Sequence, residues 1–177
     1  MKTQLFKAGF VLLSLVFGLS TTSCSSDDDG GGDGNAANGT VTAKIDGTNF
    51  QSNEILSAAN KVTAGPTTTL TLQGTDNSGK GFNFVINGFD GEGNYEIGGS
   101  NLVFVVANYV EGNPTNPIDT QTWTAPYDDT TVRGTISFST VTDDNVQGTF
   151  EFTSKNPNDG SVKTITDGSF NLDVTTF

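Results

Sequence analysis

The sequence predicts an all-β fold, either an antiparallel β-sandwich or an up-and-down barrel, in a single domain over 40–177 that ends in a meander. Three observations lead there. Apolar and polar residues alternate with period 2 from Thr40 onward, and no stretch carries the 3.6-residue period of an amphipathic helix. Clusters of Asp, Asn, Gly and Ser at 76–81, 90–94, 143–145 and 156–160 cut that alternation into about ten runs. A glycine followed by Thr or Ser and then by apolar, polar and apolar residues occurs three times near the C-terminus, starting at Gly134, Gly148 and Gly168.

The elements follow in order. Val41, Ala43 and Ile45 share one face of a first strand, and Asp46-Gly47 is the dipeptide of a two-residue hairpin turn leading into Phe50. Further strands are expected at 54–63, 68–74, 81–87, 93–97, 101–110, 121–125, 131–141, 146–154 and 161–174. The run 102–106 is apolar in both phases, which predicts either a central strand covered on both sides or a sandwich strand under a loop. The stretch 110–120 after it is the longest irregular one, and long loops carry binding function. In the C-terminal meander each glycine marks a bulge or a close backbone approach. Ile136, Phe138, Phe150, Phe152, Phe170 and Leu172 are expected to point inward.

Ahead of the domain, 1–23 reads as an export signal. Lys2 and Lys7 form its positive end, and 10–19 forms an apolar core too short to span a bilayer. Cys24 is the chain's one cysteine, so no internal disulfide or CxxC pair is open to it. Its place directly after Thr21, Thr22 and Ser23 suits cleavage before it and acylation, with diacylglyceryl and palmitoyl chains holding the protein to a membrane. The segment resembles a bacterial lipobox, with Thr21 where Leu is usual, and this looser form is similar to Bacteroidota-type lipoproteins. The run Ser25, Ser26, Asp27, Asp28 and Asp29 resembles the signal that sends such lipoproteins to the outer face of the outer membrane. Residues 25–39 hold no large apolar side chain and read as a flexible tether, with a root-mean-square span of about 20 Å and a limit of about 50 Å.

The formal net charge is −12, and removal of Lys2 and Lys7 with the signal makes it −14. A nucleic-acid binder needs a basic footprint, which is missing. Anionic headgroups would repel the domain, so the lipid anchor is its only expected contact with a membrane. The same charge discourages self-association, and a monomer is expected.

The stretches 42–50, 70–76, 87–95, 148–153 and 164–172 together resemble a family of small Bacteroidota lipoproteins of uncharacterised function. The resemblance covers most of 40–174. It implies a shared fold and a cell-surface location, and it brings no catalytic or ligand residues with it.

Candidate chemistry is sparse. Histidine is absent, which excludes Ser/His/Asp and Cys/His nucleophilic arrangements and the usual imidazole zinc sites. No P-loop, GxGxxG or GxSxG is present. Paired carboxylates remain the one catalytic possibility, but the acids fall in turns or at solvent-facing positions, and no enzyme is expected. Calcium is the cofactor to consider, at Asp128, Asp129, Asp143 and Asp144 or in the 90–94 turn, because it takes oxygen-rich loops; turn formation is the plainer reading. Trp123, flanked by Tyr109 and Tyr127, could stack on a sugar, although alternation places Trp123 and Ala125 on the inner face. These observations lead to a non-catalytic binding or interaction module for a glycan or another envelope component, with 108–129 as its face. The alternatives are a carrier for a lipophilic ligand, with Phe82, Phe84, Phe104 and Phe138 lining a barrel cavity, and a polysaccharide-acting enzyme.

Overall fold

The computed structural model describes residues 35–177 apart from Asn101 and Asp129. The expected export signal, Cys24 and Ser25 to Asp29 lie outside the described residues, as does Asp129. The described strands are β1 (Thr40–Ile45), β2 (Thr48–Gln51), β3 (Ser57–Ala64), β4 (Thr67–Thr75), β5 (Lys80–Asn87), β6 (Gly93–Ile97), β7 (Phe104–Glu111), β8 (Gln121–Ala125), β9 (Gly134–Val141), β10 (Asn145–Lys155) and β11 (Val162–Thr176). Glu54–Leu56 and Pro117–Asp119 form short 3-10 turns. No helix among the described residues is long and apolar enough to cross a membrane.

Hydrogen bonding arranges six strands as β2-β1-β11-β10-β9-β6 and five as β3-β4-β5-β7-β8. The two sheets join at both corners. Lys155 at the end of β10 pairs with Thr124 of β8, and Val174 to Thr176 of β11 run parallel to Ala59 to Lys61 of β3. The fold is thus a sandwich closed at its corners, which combines features of both expected architectures. The parallel ladder departs from an all-antiparallel meander. It forms because β11, at fifteen residues, outruns its pairing with β1, which ends at Asn171, and its last residues reach the second sheet.

Alternation builds the core. Phe82 and Phe84 of β5 face Phe150 and Phe152 of β10 across the sandwich, with ring centroids 4.8 to 6.2 Å apart and edge-to-face geometry. Such pairs each add about 0.5–1.5 kcal/mol beyond their area burial. Phe138 packs on Phe170 in the same way at 5.2 Å. These rings, expected in part to line a barrel cavity, pack against one another between the two sheets. Phe104, a further expected cavity residue, is instead 60% exposed on the outer surface.

The recurring glycines have a steric cause. Gly148 pairs with Phe170, and Gly168 pairs with Phe150. Each ring lies over the facing glycine, so a Cβ at either position would come within 2.5 Å of that ring. At the β1–β2 turn Asp46 and Gly47 have φ of 50° and 82°, the left-handed pair that a two-residue hairpin turn requires.

Two local expectations fail. Residues 54–56 form a 3-10 turn, capped by the Asn53 side chain accepting the Ile55 N–H, and β3 begins only at Ser57. The apolar run 102–106 is not covered on both sides: Leu102 precedes β7 and is fully exposed, and Phe104 and Val106 lie on the outer face of their sheet.

That outer face is ordered in rows. Val62, Thr69, Asn87 and Phe104 stand side by side across β3, β4, β5 and β7, and Asn60, Thr71, Val85 and Val106 form the next row. Strand β1 sets the long direction of the domain. It starts beside Gly39, whose N–H donates to Asn171 O at 2.7 Å, and after six residues, about 20 Å, it reaches Asp46. The N-terminal segment therefore enters at one pole, and Asp46 marks the other.

Candidate functional site

At the Asp46 pole the inward phase of several strands extends one position beyond the core, and that position is polar. Lys80 lies two residues before Phe82, Glu111 two after Tyr109, Gln121 two before Trp123 and Lys163 two before Ile165. In register, Lys80 faces Glu111 and Glu111 faces Gln121. The β1–β2 hairpin closes the other side. The result is an open mouth of about 350 Å³ with Phe50 and Tyr109 in its floor and Asp46, Asp76, Lys80, Glu111 and Lys163 around its rim. That volume lies in the range of small-ligand clefts.

The rim groups are fixed by specific partners. Thr164 N–H donates to Asp46 Oδ1 at 2.9 Å, and Lys163 Nζ lies 3.0 Å from Asp46 Oδ2. The Thr164 hydrogen bond first, and Lys163 as well, hold the Asp46 carboxyl below the usual range against a smaller opposing effect of burial. Lys163 Nζ is also 4.0 Å from Glu111 Oε1 and 5.4 Å from the Trp123 ring centre. The Tyr109 hydroxyl donates to Glu111 Oε1 at 2.9 Å. Burial, then that bond to a carboxylate, raises the Tyr109 phenol well above its ordinary value. Asp76 Oδ1 accepts the Ser78 and Lys80 N–H groups and fixes the β4–β5 turn. Lys163 thus balances two carboxylates at once, and Asp46 is kept ionised, which suits a fixed recognition charge rather than a proton donor.

The expected site residues fall in different places. Trp123 is 6% exposed and donates Nε1–H to Ser161 Oγ at 2.9 Å, while Tyr109 is 1% exposed. Neither ring offers an open face to stack on a sugar, because both lie in the inward phase; Tyr109 lines the mouth and Trp123 packs against it at 5.6 Å. Tyr127 is half-buried elsewhere, with the Arg133 guanidinium 3.9 Å over its ring. Asp128 pairs with that same Arg133 and accepts the Thr131 N–H. Asp143 and Asp144 belong to the β9–β10 turn, where Thr142 Oγ1 donates to Asp144 Oδ1 at 2.8 Å. The eight residues of β9, about 25 Å, lie between Arg133 and that turn, so Asp128 cannot share an ion with Asp143 and Asp144. In the 90–94 turn Asp90 accepts the Tyr95 hydroxyl at 2.7 Å. No group of three or more His, Cys, Asp or Glu placed to hold a metal occurs among the described residues.

Of the expected face at 108–129, the described residues outside strands are 126–128 and the longer stretch 112–120, which contains the Pro117–Asp119 turn. The longer stretch is the one near the mouth. It abuts the mouth through the Gly112 N–H bonded to Gly79 O at 2.9 Å, and Ile118 projects from it almost fully exposed. The sequence reading missed Asp46, Lys80, Glu111 and Lys163. Their signal was available: a charged residue in the inward phase at a strand end, repeated on three strands.

Fold and mouth define an all-β domain with an open, charged-rimmed cleft at one pole. The chain belongs to the family described as a domain of unknown function (DUF6252), whose model matches residues 37–172 and so includes every rim residue. No curated protein and no solved structure matches it.

Proposed function

We propose that this protein is a cell-surface, lipid-anchored binding module that takes a small hydroxyl-rich ligand of the glycan class in the mouth at the Asp46 pole. The observation that carries this reading is the convergence of inward-phase Lys80, Glu111 and Lys163 with Asp46 over a buried aromatic floor. Carboxylates accept hydrogen bonds from sugar hydroxyls and ammonium groups donate to them, while buried Phe50 and Tyr109 close the mouth from below and hold the rim groups in place. The anchor is the acylated Cys24, and the acidic run behind it directs the protein to the outer face of the outer membrane. The polarity of the domain supports that arrangement. The N-terminal segment enters at the pole opposite the mouth, so a chain tethered at Cys24 presents the mouth away from the lipid. The filled core favours this reading over a lipophilic carrier, and the Lys163-balanced carboxylates favour it over a glycosidase.

The test is a titration of a broad set of neutral and acidic oligosaccharides and envelope extracts, followed by calorimetry and by emission of Trp123, the single tryptophan, whose ring faces Lys163. Binding that weakens at least tenfold in Glu111→Gln and Lys163→Met supports the reading; no binding, or binding indifferent to both substitutions, refutes it. Mass spectrometry of the N-terminal peptide, and its loss of acyl mass in Cys24→Ser, tests the anchor.

A further inference from the structure

The two outer faces of the sandwich differ in charge. On the six-stranded sheet the outward positions include Lys44, Glu151, Asp167 and Asp173. On β3-β4-β5-β7-β8 the outward positions carry only Thr, Asn, Gln, Ala, Gly, Val and Phe, without one Asp, Glu, Lys or Arg. In a chain with twenty acidic residues such a face is unexpected. It is also apolar in its middle: half-buried Val85 and Val106 are register partners, and Val62 and Phe104 stand exposed in the neighbouring row.

We infer that this face is the contact surface for a second copy of the chain, packed sheet against sheet about a two-fold axis. The argument is electrostatic first. Two copies of the chain, each at −14 without the signal, repel each other wherever their charged surfaces meet, and no outward strand position of this sheet carries a charge. The charges of the six-stranded sheets lie a sheet spacing of about 10 Å behind the interface on each side, beyond the screening length of about 8 Å at physiological salt. The expectation of a monomer rested on net charge alone and did not see this asymmetry.

The geometry agrees with the proposed anchor, on which this next step rests. A two-fold axis in the interface and parallel to the strands leaves both N-terminal segments at one pole and both mouths at the other. Two lipid-anchored copies can then pair on one membrane. Five strands at about 4.8 Å by some six residues give roughly 400–500 Å² per partner, below the ~800 Å² of a standard interface. The dimer is therefore weak in solution and strengthened by co-anchoring, which raises the effective concentration.

The test is sedimentation of residues 35–177, which contain every described strand and the whole core, from micromolar to millimolar concentration. Concentration-dependent dimerisation is expected. It should weaken at least tenfold in Val106→Lys and in Asn83→Lys, and be unchanged in Thr149→Lys on the opposite sheet. Asn83→Cys is the only cysteine in that span and should cross-link between copies under oxidation. Circular dichroism verifies that each variant folds. A monomer at all concentrations without cross-linking overturns the inference, and so does equal disruption by Thr149→Lys. Retention on a neutral polysaccharide without self-association overturns it too, and would assign the face to a glycan. None of these results bears on ligand binding at the mouth, which the oligosaccharide titration reads separately.

Discussion

Tyr109→Phe isolates one bond of the mouth. The substitution keeps the ring and its packing, so it opens no cavity, and removes only the hydroxyl that donates to Glu111 Oε1 at 2.9 Å. A hydrogen bond to a charged group contributes about 1.5–3 kcal/mol. The Glu111 side chain is 35% exposed, so water replaces part of the lost bond, and the net cost falls to about 1 kcal/mol. In urea unfolding the midpoint should fall with the slope unchanged, and thermal unfolding should drop by about 3 °C. Glu111→Gln, alone and combined with Tyr109→Phe, completes a cycle whose coupling should be close to that same 1 kcal/mol. If both single variants unfold at the wild-type midpoint and the coupling is zero, Tyr109 and Glu111 are not joined as described and the mouth is not preorganised.

Further outcomes follow from the same contacts. Gly148→Ala drives a Cβ into Ser137 O and to 2.5 Å from the Phe170 ring, and should destabilise the domain by about 3 kcal/mol or prevent folding; a wild-type midpoint would refute the glycine–ring account. Tyr109 has a raised folded pKa, so its contribution is complete below the unfolded value near 10 and is lost as pH rises beyond it; stability above pH 10 should fall more steeply in wild type than in Tyr109→Phe. Asp46 is the opposite case. Its folded pKa is lowered, so its contribution is present above about pH 4 and lost as pH falls through the folded value, and Asp46→Asn should flatten the acid limb of urea midpoint against pH. Emission of Trp123 should be blue and resistant to acrylamide, since the ring is 6% exposed; a red, quenchable spectrum would contradict its burial.

Most of the strand layout is legible in the sequence because each strand buries one face, and a period of 2 fixes which side chains share it. Phe150 and Phe152, or Leu70 and Leu72, declare their phase without help from the rest of the chain. The corners are not legible in this way. Nothing local to Val174 or Lys155 says that the chain passes to the other sheet there, because that pairing depends on the twist and curvature of strands far apart in sequence. The mouth lay between these cases. Lys80, Glu111 and Lys163 each look like ordinary strand-end charges singly, and only the shared phase, once the strands are set side by side, marks them as one constellation. Trp123 was the most conspicuous candidate by residue type, yet its phase, the better guide, places it in the core. The uncharged sheet face was legible but is visible only when outward positions are compared across five strands at once.

Strand β1 gives the domain a mechanical axis. It joins the N-terminal segment at Gly39 to the rim residue Asp46, and it is flanked by β11 from Thr40 to Ile45 and by β2 from Thr42 to Ile45. A pull applied between Gly39 and the Asp46 pole loads this strand along its axis. Its hydrogen bonds to both neighbours lie across the pull and are loaded in shear together, rather than opened one after another as in peeling. Extension of the domain between its two poles would therefore be resisted by the whole ladder.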